Sequence, residues 1–395
     1  MPTVAVDARE LAGRPTGVGR YLLELLKKWR DPATWHDPAG SPRPRHTFIL
    51  YSHQPFAPAT PFADRAVVLE GTGGTRWEQA TFARALRHDR PDVLFAPAST
   101  APLAVHLPIA LTIHDLSYAA HPEWFRWREG ARRRLLTRLS ARKASVVLTV
   151  SAFSAGEIVE RLGVPASKVR VVYHGASYHA QDEAEASHHN QGSYHSQGVW
   201  REASSSREPL VLFVGSLFNR RRIPDLLHAF AHVARHVPEA RLALVGDNRT
   251  YPREEPRAIA AALGIADRVD VHDYPRDDEV LAFYRRASVF VFVSEYEGFG
   301  LTPLDALAFG VPIVVADTPL SREIYADAAV TAPIGDAHAL GEAILTLLQH
   351  PVRRRAALAA APAVLARYSW DRAAADTLAA IEQAARPERA ARVEG

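Results

Sequence analysis

The sequence predicts an α/β protein built from two doubly wound halves, each a parallel sheet with helices on both faces. Short apolar runs alternate with amphipathic stretches along most of the 395 residues, a rhythm typical of parallel sheets. The length is about twice that of a common domain. One segment, residues 176–208, interrupts the rhythm: it contains no Ile, Leu, Phe or Met but has seven serines and four histidines. We interpret this segment as a polar linker or surface loop, because it cannot supply a core.

The first half, residues 1–175, begins with an apolar strand and then alternates strands with amphipathic helices. Strands are predicted at residues 4–6, 47–51, 67–69, 93–96, 109–113, 146–150 and 169–173, and helices at 21–29, 77–87, 125–141 and 155–162. By their periodicity these elements form one Rossmann-like domain.

The second half, residues 209–395, repeats the pattern and ends in an alanine-rich helical tail from Ala337. Strands are predicted at residues 210–214, 242–245, 269–271, 289–293 and 313–315, and helices at 224–235, 257–263, 279–285 and 303–309. Open parallel sheets bind ligands beyond the carboxyl ends of their strands, so the expected ligand site is a cleft between the two domains.

Composition excludes several kinds of chemistry. The chain has no cysteine, so it has no disulfide, cysteine-ligated metal or thiol nucleophile. Only four of its 47 basic residues are lysines, the last of them Lys168. A net charge of +3 is too small to indicate nucleic acid. No apolar run approaches 18 residues, and a cytoplasmic protein is the default expectation.

The most informative stretch reads Ser-Glu-Tyr-Glu-Gly-Phe-Gly-Leu-Thr-Pro-Leu-Asp-Ala-Leu-Ala over residues 294–308. It follows an apolar strand and enters a helix, for which Thr302 is the predicted N-cap and Pro303 the first helical residue. Backbone N–H groups at such a turn favour oxygen-rich ligands, with Glu297 and Asp305 as hydroxyl acceptors. Asp305 also fits a capping box with Thr302, which is a purely structural role.

This stretch resembles the signature of retaining glycosyltransferase family 4, in which two acidic residues bracket a glycine-rich turn. The resemblance extends over most of the chain and implies the two-domain GT-B fold. It implies that Glu297 binds sugar hydroxyls, that Asp305 binds the nucleotide ribose, and that the backbone of Phe299, Gly300 and Leu301 contacts the donor sugar. Asp305 replaces the usual glutamate, and Thr302 stands where proline often follows leucine directly.

A second motif, Gly-Ser-Leu-Phe-Asn-Arg-Arg-Arg over residues 215–222, follows a predicted strand. Three guanidinium groups can form an anion site, because each offers a bidentate fork to phosphate; a solvated basic turn is the alternative. The motif resembles the diphosphate-binding segment of the family, in which an Arg-Lys pair neutralises the leaving nucleoside diphosphate, and the resemblance implies that Gly215 belongs to the nucleotide-sugar site. Arg220 and Arg221 match that pair, with arginine in place of lysine.

Two further features lie in the first half. The glycine-rich segment from Gly13 to Tyr21 is a weak dinucleotide fingerprint. It is more similar to the glycine loop of the same transferases, which implies that Gly17 and Val18 approach the diphosphate and the acceptor. His114 follows the strand at residues 109–113. A histidine there is often a satisfied core residue, whereas the resemblance implies a place beside the donor sugar.

Two basic or histidine-rich segments remain open to interpretation. Residues 124–143 combine basic residues with Trp124, Phe125 and Trp127, which suits a membrane surface or polyanion but also a solvated helix face. The interdomain histidines fit a solvated loop better than a metal site, because they lack regular ligand spacing. They are His179, His188, His189 and His195.

The resemblance therefore implies a retaining glycosyltransferase that needs no cofactor, and the absence of an Asp-X-Asp motif from the sequence favours a metal-independent one. The resemblance implies a nucleotide diphosphate sugar as donor and a glycan or lipid-linked acceptor in cell-envelope or exopolysaccharide synthesis. Arg220 and Arg221 would stabilise the departing diphosphate, as a metal does elsewhere, while His114 supports the sugar. A nucleotide-sugar epimerase of the same fold and a non-catalytic polyanion or membrane binder are the alternatives. A pyridoxal phosphate phosphorylase is disfavoured, because the second half contains no lysine.

Overall fold

A computed structural model describes residues 2–13, 17–31, 46–56, 63–176, 208–273 and 275–386. The chain divides into two compact units. The first comprises Met1–Pro122, Trp127–Gly175 and Tyr368–Gly395, and the second comprises Glu123–Arg126 and Ala176–Arg367. The four interdomain histidines predicted to lie in a solvated loop fall outside the described residues.

The first unit contains a seven-stranded parallel sheet in the order β3-β2-β1-β4-β5-β6-β7. Its strands are β1 Thr3–Asp7, β2 Thr47–Ser52, β3 Arg65–Val68, β4 Val93–Ala96, β5 Ile109–Ile113, β6 Val146–Thr149 and β7 Val169–Val171. Every residue of β4, β5 and β6 is buried. Burial on both faces explains why these strands are continuous apolar runs without alternation.

Helices cover this sheet and connect its strands. They are α1 Gly17–Arg30, α2 Ala83–Asp89, α3 Ser117–Ala120, α4 Trp127–Lys143 and α5 Ala152–Leu162. A π-helical turn over Trp77–Phe82 precedes α2, so the continuous helix predicted at 77–87 is divided. Ser151 caps α5 by accepting a hydrogen bond from the Ser154 amide, and Gly163 ends the helix in the left-handed conformation.

The second unit contains a six-stranded parallel sheet in the order β10-β9-β8-β11-β12-β13. Its strands are β8 Leu210–Val214, β9 Arg241–Val245, β10 Val269–His272, β11 Val289–Phe292, β12 Ile313–Ala316 and β13 Ala329–Ala332. Its helices are α6 Ile223–His236, α7 Pro256–Ala262, α8 Asp277–Arg286, α9 Leu301–Ala308, α10 Pro319–Tyr325, α11 Ala337–Gln349, α12 Pro351–Ala359 and α13 Ala361–Leu365. The edge strand β13 and helix α10 were not predicted from the sequence.

The C-terminal helix α14, Trp370–Ala385, corrects the predicted domain boundaries. The sequence placed all of residues 209–395 in the second domain, yet α14 packs on α1 and on β4, β5 and β6 of the first unit. Trp29 Nε1 donates to the Ala374 carbonyl oxygen at 2.9 Å. Ala373, Ala374 and Ala380 are buried in this packing, because small side chains let helix backbones approach closely. An alanine-rich amphipathic pattern fits many apolar surfaces and does not specify which one.

The predicted fold class, two doubly wound α/β halves, is confirmed by the two sheets. In each sheet the strand order reverses beside the first strand, between β1 and β4 and between β8 and β11. Loops that leave the carboxyl ends of strands at such a switch point are the usual ligand site of this architecture. In the second unit, these two loops carry the arginine motif and the glycine-rich turn.

Candidate functional site

The loop after β8 brings Arg221 against the backbone of Gly215. Gly215 has a φ of +141°, which side chains rarely adopt, and a Cβ there would overlap Arg221 Nη1. The glycine therefore allows Nη1 of Arg221 to approach the backbone of this turn closely. The turn continues through a short 3₁₀ segment over Asn219–Arg221 and then enters α6.

Glu297 lies in the loop after β11 and contacts two arginines of the loop after β8. Its Oε1 accepts hydrogen bonds from Nε of Arg221 at 3.1 Å, Nε of Arg220 at 3.4 Å and Oγ of Ser294 at 3.1 Å. The Glu295 amide donates to the Arg220 carbonyl oxygen at 2.9 Å, which ties the two backbones together. Two cations thus share one carboxylate, and the cluster carries a net positive charge.

Arg221 lies in an aromatic cage. Its guanidinium carbon is 5.1 Å from the ring centroid of Phe292, 5.8 Å from that of Phe218 and 5.9 Å from that of Phe213. Burial lowers the pKa of Arg221, although Glu297 acts in the opposite direction. Within the described part of the chain, its buried Nη1 has no hydrogen-bond partner. A buried charged donor without a partner is costly, so an anion at this point is favoured.

Arg222 differs from Arg220 and Arg221 in its partners. It occupies the left-handed region at φ +52°, and its Nε donates to Asp225 Oδ2 at 2.7 Å while its Nη1 donates to Glu295 Oε2 at 3.3 Å. The hydrogen bond to Asp225 raises the pKa of Arg222. Two carboxylates therefore satisfy Arg222, and it fixes the start of α6.

The glycine-rich turn ends at Gly300, which is the N-cap of α9 with a φ of +86°. Tyr325 Oη donates to the Gly300 carbonyl oxygen at 2.9 Å, and a Cβ at Gly300 would overlap that hydroxyl. The prediction that Thr302 caps the helix and that Pro303 begins it is wrong, because α9 begins at Leu301. The left-handed glycine starts the helix without a side-chain cap.

This helix start also removes the capping-box interpretation of Asp305, since the residue lies in the second turn of α9. The Asp305 side chain is fully buried. Phe299 is buried, whereas Gly300 and Leu301 are partly exposed at the N-terminus of α9, where backbone amides point away from the helix.

The first unit places its predicted site residues around Tyr21. Gly17 is the first residue of α1 and Val18 the second, and the preceding residues 14–16 are outside the described range. Tyr21, one turn further along α1, lies edge-on to the His114 ring with centroids 4.9 Å apart. The first turn of α1 and His114 are thus neighbours.

His114 is held by its Nε2, which donates to the Pro97 carbonyl oxygen at 2.8 Å. Since a carbonyl oxygen only accepts, the neutral ring carries its proton on Nε2 and its lone pair on Nδ1. Burial lowers the pKa of His114, while the Pro97 hydrogen bond acts against this. His114 is consequently a neutral acceptor at pH 7.

Sequence reasoning missed the residues that hold these groups in place. The aromatic cage, Ser294 and Tyr325 were not singled out, because an apolar strand residue gives no sign of lying beside a cation. Phe292 and Phe213 occupy adjacent strands of the predicted sheet, which was the only available signal. Among the described residues, the one group of three histidine and carboxylate side chains close enough to hold a metal ion contains none of the residues above.

Comparison with known proteins gives the family. The family model described as glycosyl transferases group 1 matches residues 198–363, and that described as glycosyltransferase family 4 matches residues 15–178. Together they cover most of the chain. It belongs to the group 1 glycosyltransferases. The family inferred from the glycine-rich motif is confirmed.

Two curated relatives of this chain are glycosyltransferases by name. The O-antigen chain mannosyltransferase B of Escherichia coli is 25% identical over 278 residues, 69% of this chain and 69% of the relative. The D-inositol 3-phosphate glycosyltransferase of Xylanimonas cellulosilytica is 34% identical over 182 residues, 45% of this chain and 42% of the relative.

Anabaena HepE, solved with UDP and glucose, superposes with a TM-score of 0.70 at 17% identity and covers 97% of this chain and 100% of its own. WaaG, a lipopolysaccharide glycosyltransferase, gives a TM-score of 0.68 at 15% identity, with coverage of 96% and 99%. These likenesses establish the GT-B fold. No helix among the described residues is long and apolar enough to span a membrane.

Proposed function

We propose that this glycosyltransferase transfers a mannosyl or glucosyl-like group from a nucleotide diphosphate sugar to a glycan or lipid-linked acceptor, with retention and without a metal ion. The observation that carries the proposal is the buried Nη1 of Arg221, which has no hydrogen-bond partner among the described residues, in the cluster of Arg220, Arg221 and Glu297. The mannosyltransferase relative and the UDP and glucose complex of HepE support this class of donor.

Arg220 and Arg221 bind the diphosphate in this proposal. Glu297 accepts hydrogen bonds from their Nε atoms, and the buried Nη1 of Arg221, which has no hydrogen-bond partner among the described residues, is placed to donate to a phosphate oxygen. The glycine at position 215 keeps that space free of a side chain. Fixed cations at the place where charge develops on a leaving group contribute about 3 kcal/mol of transition-state stabilisation each, with no metal ion required.

The glycine-rich turn orients the sugar and the nucleoside. Glu297 accepts hydrogen bonds from sugar hydroxyls, and the backbone around Phe299, Gly300 and Leu301 contacts the donor sugar at the start of α9. Asp305 holds the ribose after a local side-chain shift. These assignments follow the family motif residue by residue, and the hydrogen bonds to Glu297 are consistent with them.

In the first unit, we assign roles to His114 and to the first two residues of α1. The neutral His114 ring accepts a sugar hydroxyl at Nδ1, and its lone pair is compatible with positive charge at the anomeric centre. Gly17 and Val18, at the start of α1, approach the diphosphate and the acceptor, because a helix N-terminus favours anions.

In the reaction, the bond from the anomeric carbon to the diphosphate oxygen breaks, and its electron pair leaves with the diphosphate. The acceptor hydroxyl oxygen bonds to the same face of that carbon, which retains its configuration. The hydroxyl proton passes to the departing phosphate oxygen. Arg220 and Arg221 stabilise the charge on that oxygen until the proton arrives.

The test is nucleoside diphosphate release from a panel of donors that includes GDP-mannose and UDP-glucose. Arg221→Ala and Glu297→Gln should each lower turnover roughly 100-fold, while the surface control Arg276→Ala leaves it unchanged. Unchanged turnover in both site variants would contradict the assignment. A free, isomerised sugar without acceptor product would support an epimerase instead.

Helix α4 favours a membrane-bound acceptor. Trp127 is 74% exposed, Leu135 58% and Leu139 38%, and exposed basic side chains interleave with them on one face. Those basic residues are Arg128, Arg132, Arg138, Arg142 and Lys143. Apolar anchors among cations are typical of helices that lie on anionic membranes.

Flotation with vesicles tests this part of the proposal. The protein should bind vesicles containing anionic lipid, and Trp127→Ser with Leu135→Ser should abolish binding without reducing turnover on a water-soluble acceptor. Equal flotation of the double variant and the parent protein would exclude this face as the contact.

A further inference from the structure

The outer face of α6 and α11 carries a cluster that the proposed reaction does not use. His232 and His236 are four residues apart on α6, and His338 and Glu342 are four apart on α11. Four-residue spacing places each pair on one helix face. One ligand atom from each of His232, His338 and Glu342 lies within 4.8 Å of the other two.

The two helices pack closely at this point. A Cβ at Gly341 would lie 3.0 Å from His232 Cδ2 and 3.2 Å from the Ala229 carbonyl oxygen, so a larger side chain would push the helices apart. His232 Nε2 contacts Glu342 Oε1 at 2.6 Å, and the rings of His232 and His338 have centroids 5.0 Å apart. The absence of a side chain at position 341 thus brings the three groups together.

Two imidazoles and one carboxylate are a donor set that zinc accepts with water in the fourth position. Ligand atoms that share a tetrahedral zinc lie about 3.3 Å apart, so the present spacing needs only small side-chain rotations. His338 and Glu342 are exposed and free to make them, whereas His232 is held with 16% of its side chain exposed. One fixed and two adjustable ligands can close on an ion.

We propose that His232, His338 and Glu342 bind a divalent transition-metal ion such as Zn²⁺, which cross-links α6 to α11. The site is separate from the arginine cluster: His232 lies nine residues beyond the start of α6, about 14 Å along its axis. The ion is structural and takes no part in the transfer. It holds in place the helix that begins directly after Arg222.

Isothermal titration of tag-free protein with ZnCl₂ tests the site. We expect one saturable ion per chain, and His338→Ala and Glu342→Gln should each weaken it at least ~10-fold, since ligands matter at least as much as the groups that orient them. The matched control is His350→Ala, because His350 lies directly after α11, about 18 Å from His338 along the helix axis. It should bind like the parent protein.

The four interdomain histidines are a second possible source of zinc binding, so the titration is repeated after all four are changed to glutamine. Zinc should raise the melting temperature of that protein but not of one also carrying His338→Ala and Glu342→Gln. Both residues are exposed, and the metal-free melting temperature checks that the variants fold. Equal affinity with and without the two changes, or no saturable binding below about 100 μM, would overturn the proposal.

Discussion

Each unit places a buried arginine beside the end of its first strand, and the two arginines are partnered in opposite ways. In the first unit, Arg9 Nη2 contacts Asp7 Oδ2 at 2.7 Å and Arg9 Nη1 contacts Glu78 Oε2 at 3.0 Å. Its Nε donates to Asp7 Oδ1 at 3.0 Å. One cation has two carboxylates here, whereas Arg220 and Arg221 both donate to Glu297, and the Nη1 of Arg221 has no hydrogen-bond partner among the described residues.

The difference is not one of burial, because the Arg9 side chain is 10% exposed and that of Arg221 is 13% exposed. Burial lowers the pKa of Arg9, but Asp7 and Glu78 more than offset it and the pKa is raised; the pKa of Arg221 is lowered. We call Arg9, Asp7 and Glu78 the closed cluster, because its guanidinium is paired within the protein. We call Arg220, Arg221 and Glu297 the open cluster, because Nη1 of Arg221 can still donate to a ligand such as the proposed diphosphate.

The largest expected effect is on the closed cluster. Arg9→Met should lower the free energy of unfolding by about 3–5 kcal/mol, because it leaves two buried carboxylates without their cation. Chemical denaturation followed by tryptophan fluorescence measures this, with Arg276→Met as a control whose side chain is exposed. A small loss would show that Asp7 and Glu78 find other partners or take up protons.

Arg221→Met should have the opposite profile. Turnover should fall roughly 100-fold, while the free energy of unfolding stays within about 1 kcal/mol of the parent value, because the change removes an incompletely satisfied buried charge. Both quantities are measured on the same preparation. Destabilisation as large as that of Arg9→Met would mean that the two clusters play the same structural part.

The sequence predicted most strands and the two doubly wound halves, because apolar runs that alternate with amphipathic stretches are typical of parallel α/β sheets. It did not predict which carboxylate pairs with which arginine. Arg222 stands beside Arg221 in the chain, yet a positive φ turns it toward Asp225 and Glu295. Such partner choices depend on backbone conformation and on residues more than 70 positions away.

The C-terminal helix α14 also shows that the sequence did not predict which surfaces pack together. Helix α14 was predicted as a helix but assigned to the wrong unit, because its buried alanines carry no specificity for a particular surface. Thr302 was a reasonable N-cap by residue type, and the left-handed Gly300 replaced it. Local propensity identified the helix, while tertiary contacts such as that of Tyr325 decided where it begins.

Acid should lower the stability of the first unit, by less than the substitutions above. Burial and the neighbouring His114 lower the pKa of His174, which stacks on Tyr21 at 4.8 Å. The unfolded chain, with a histidine pKa near 6.5, binds more protons than the folded one below that pH. The stability of the first unit is therefore fully present above pH 6.5 and falls as the pH drops below it.

The free energy of unfolding changes by at most about 1.4 kcal/mol per pH unit for each such histidine. His174→Phe should flatten the dependence between pH 6.5 and 5, measured by denaturation at each pH, with His106→Gln, a change at an exposed position of the same unit, as the control. An unchanged slope in His174→Phe would assign the acid sensitivity to other groups.

Gly215→Ala tests the open cluster with the smallest change. The added Cβ overlaps Arg221 Nη1, so the guanidinium must shift away from the backbone of the turn. We expect nucleoside diphosphate affinity to fall about tenfold, equivalent to about 1.4 kcal/mol. Gly264→Ala is the control, since Gly264 also has a positive φ, of +70°, but nothing lies within 4 Å of its Cβ position. If Gly215→Ala binds the nucleoside diphosphate as tightly as Gly264→Ala does, the space at position 215 does not serve Arg221.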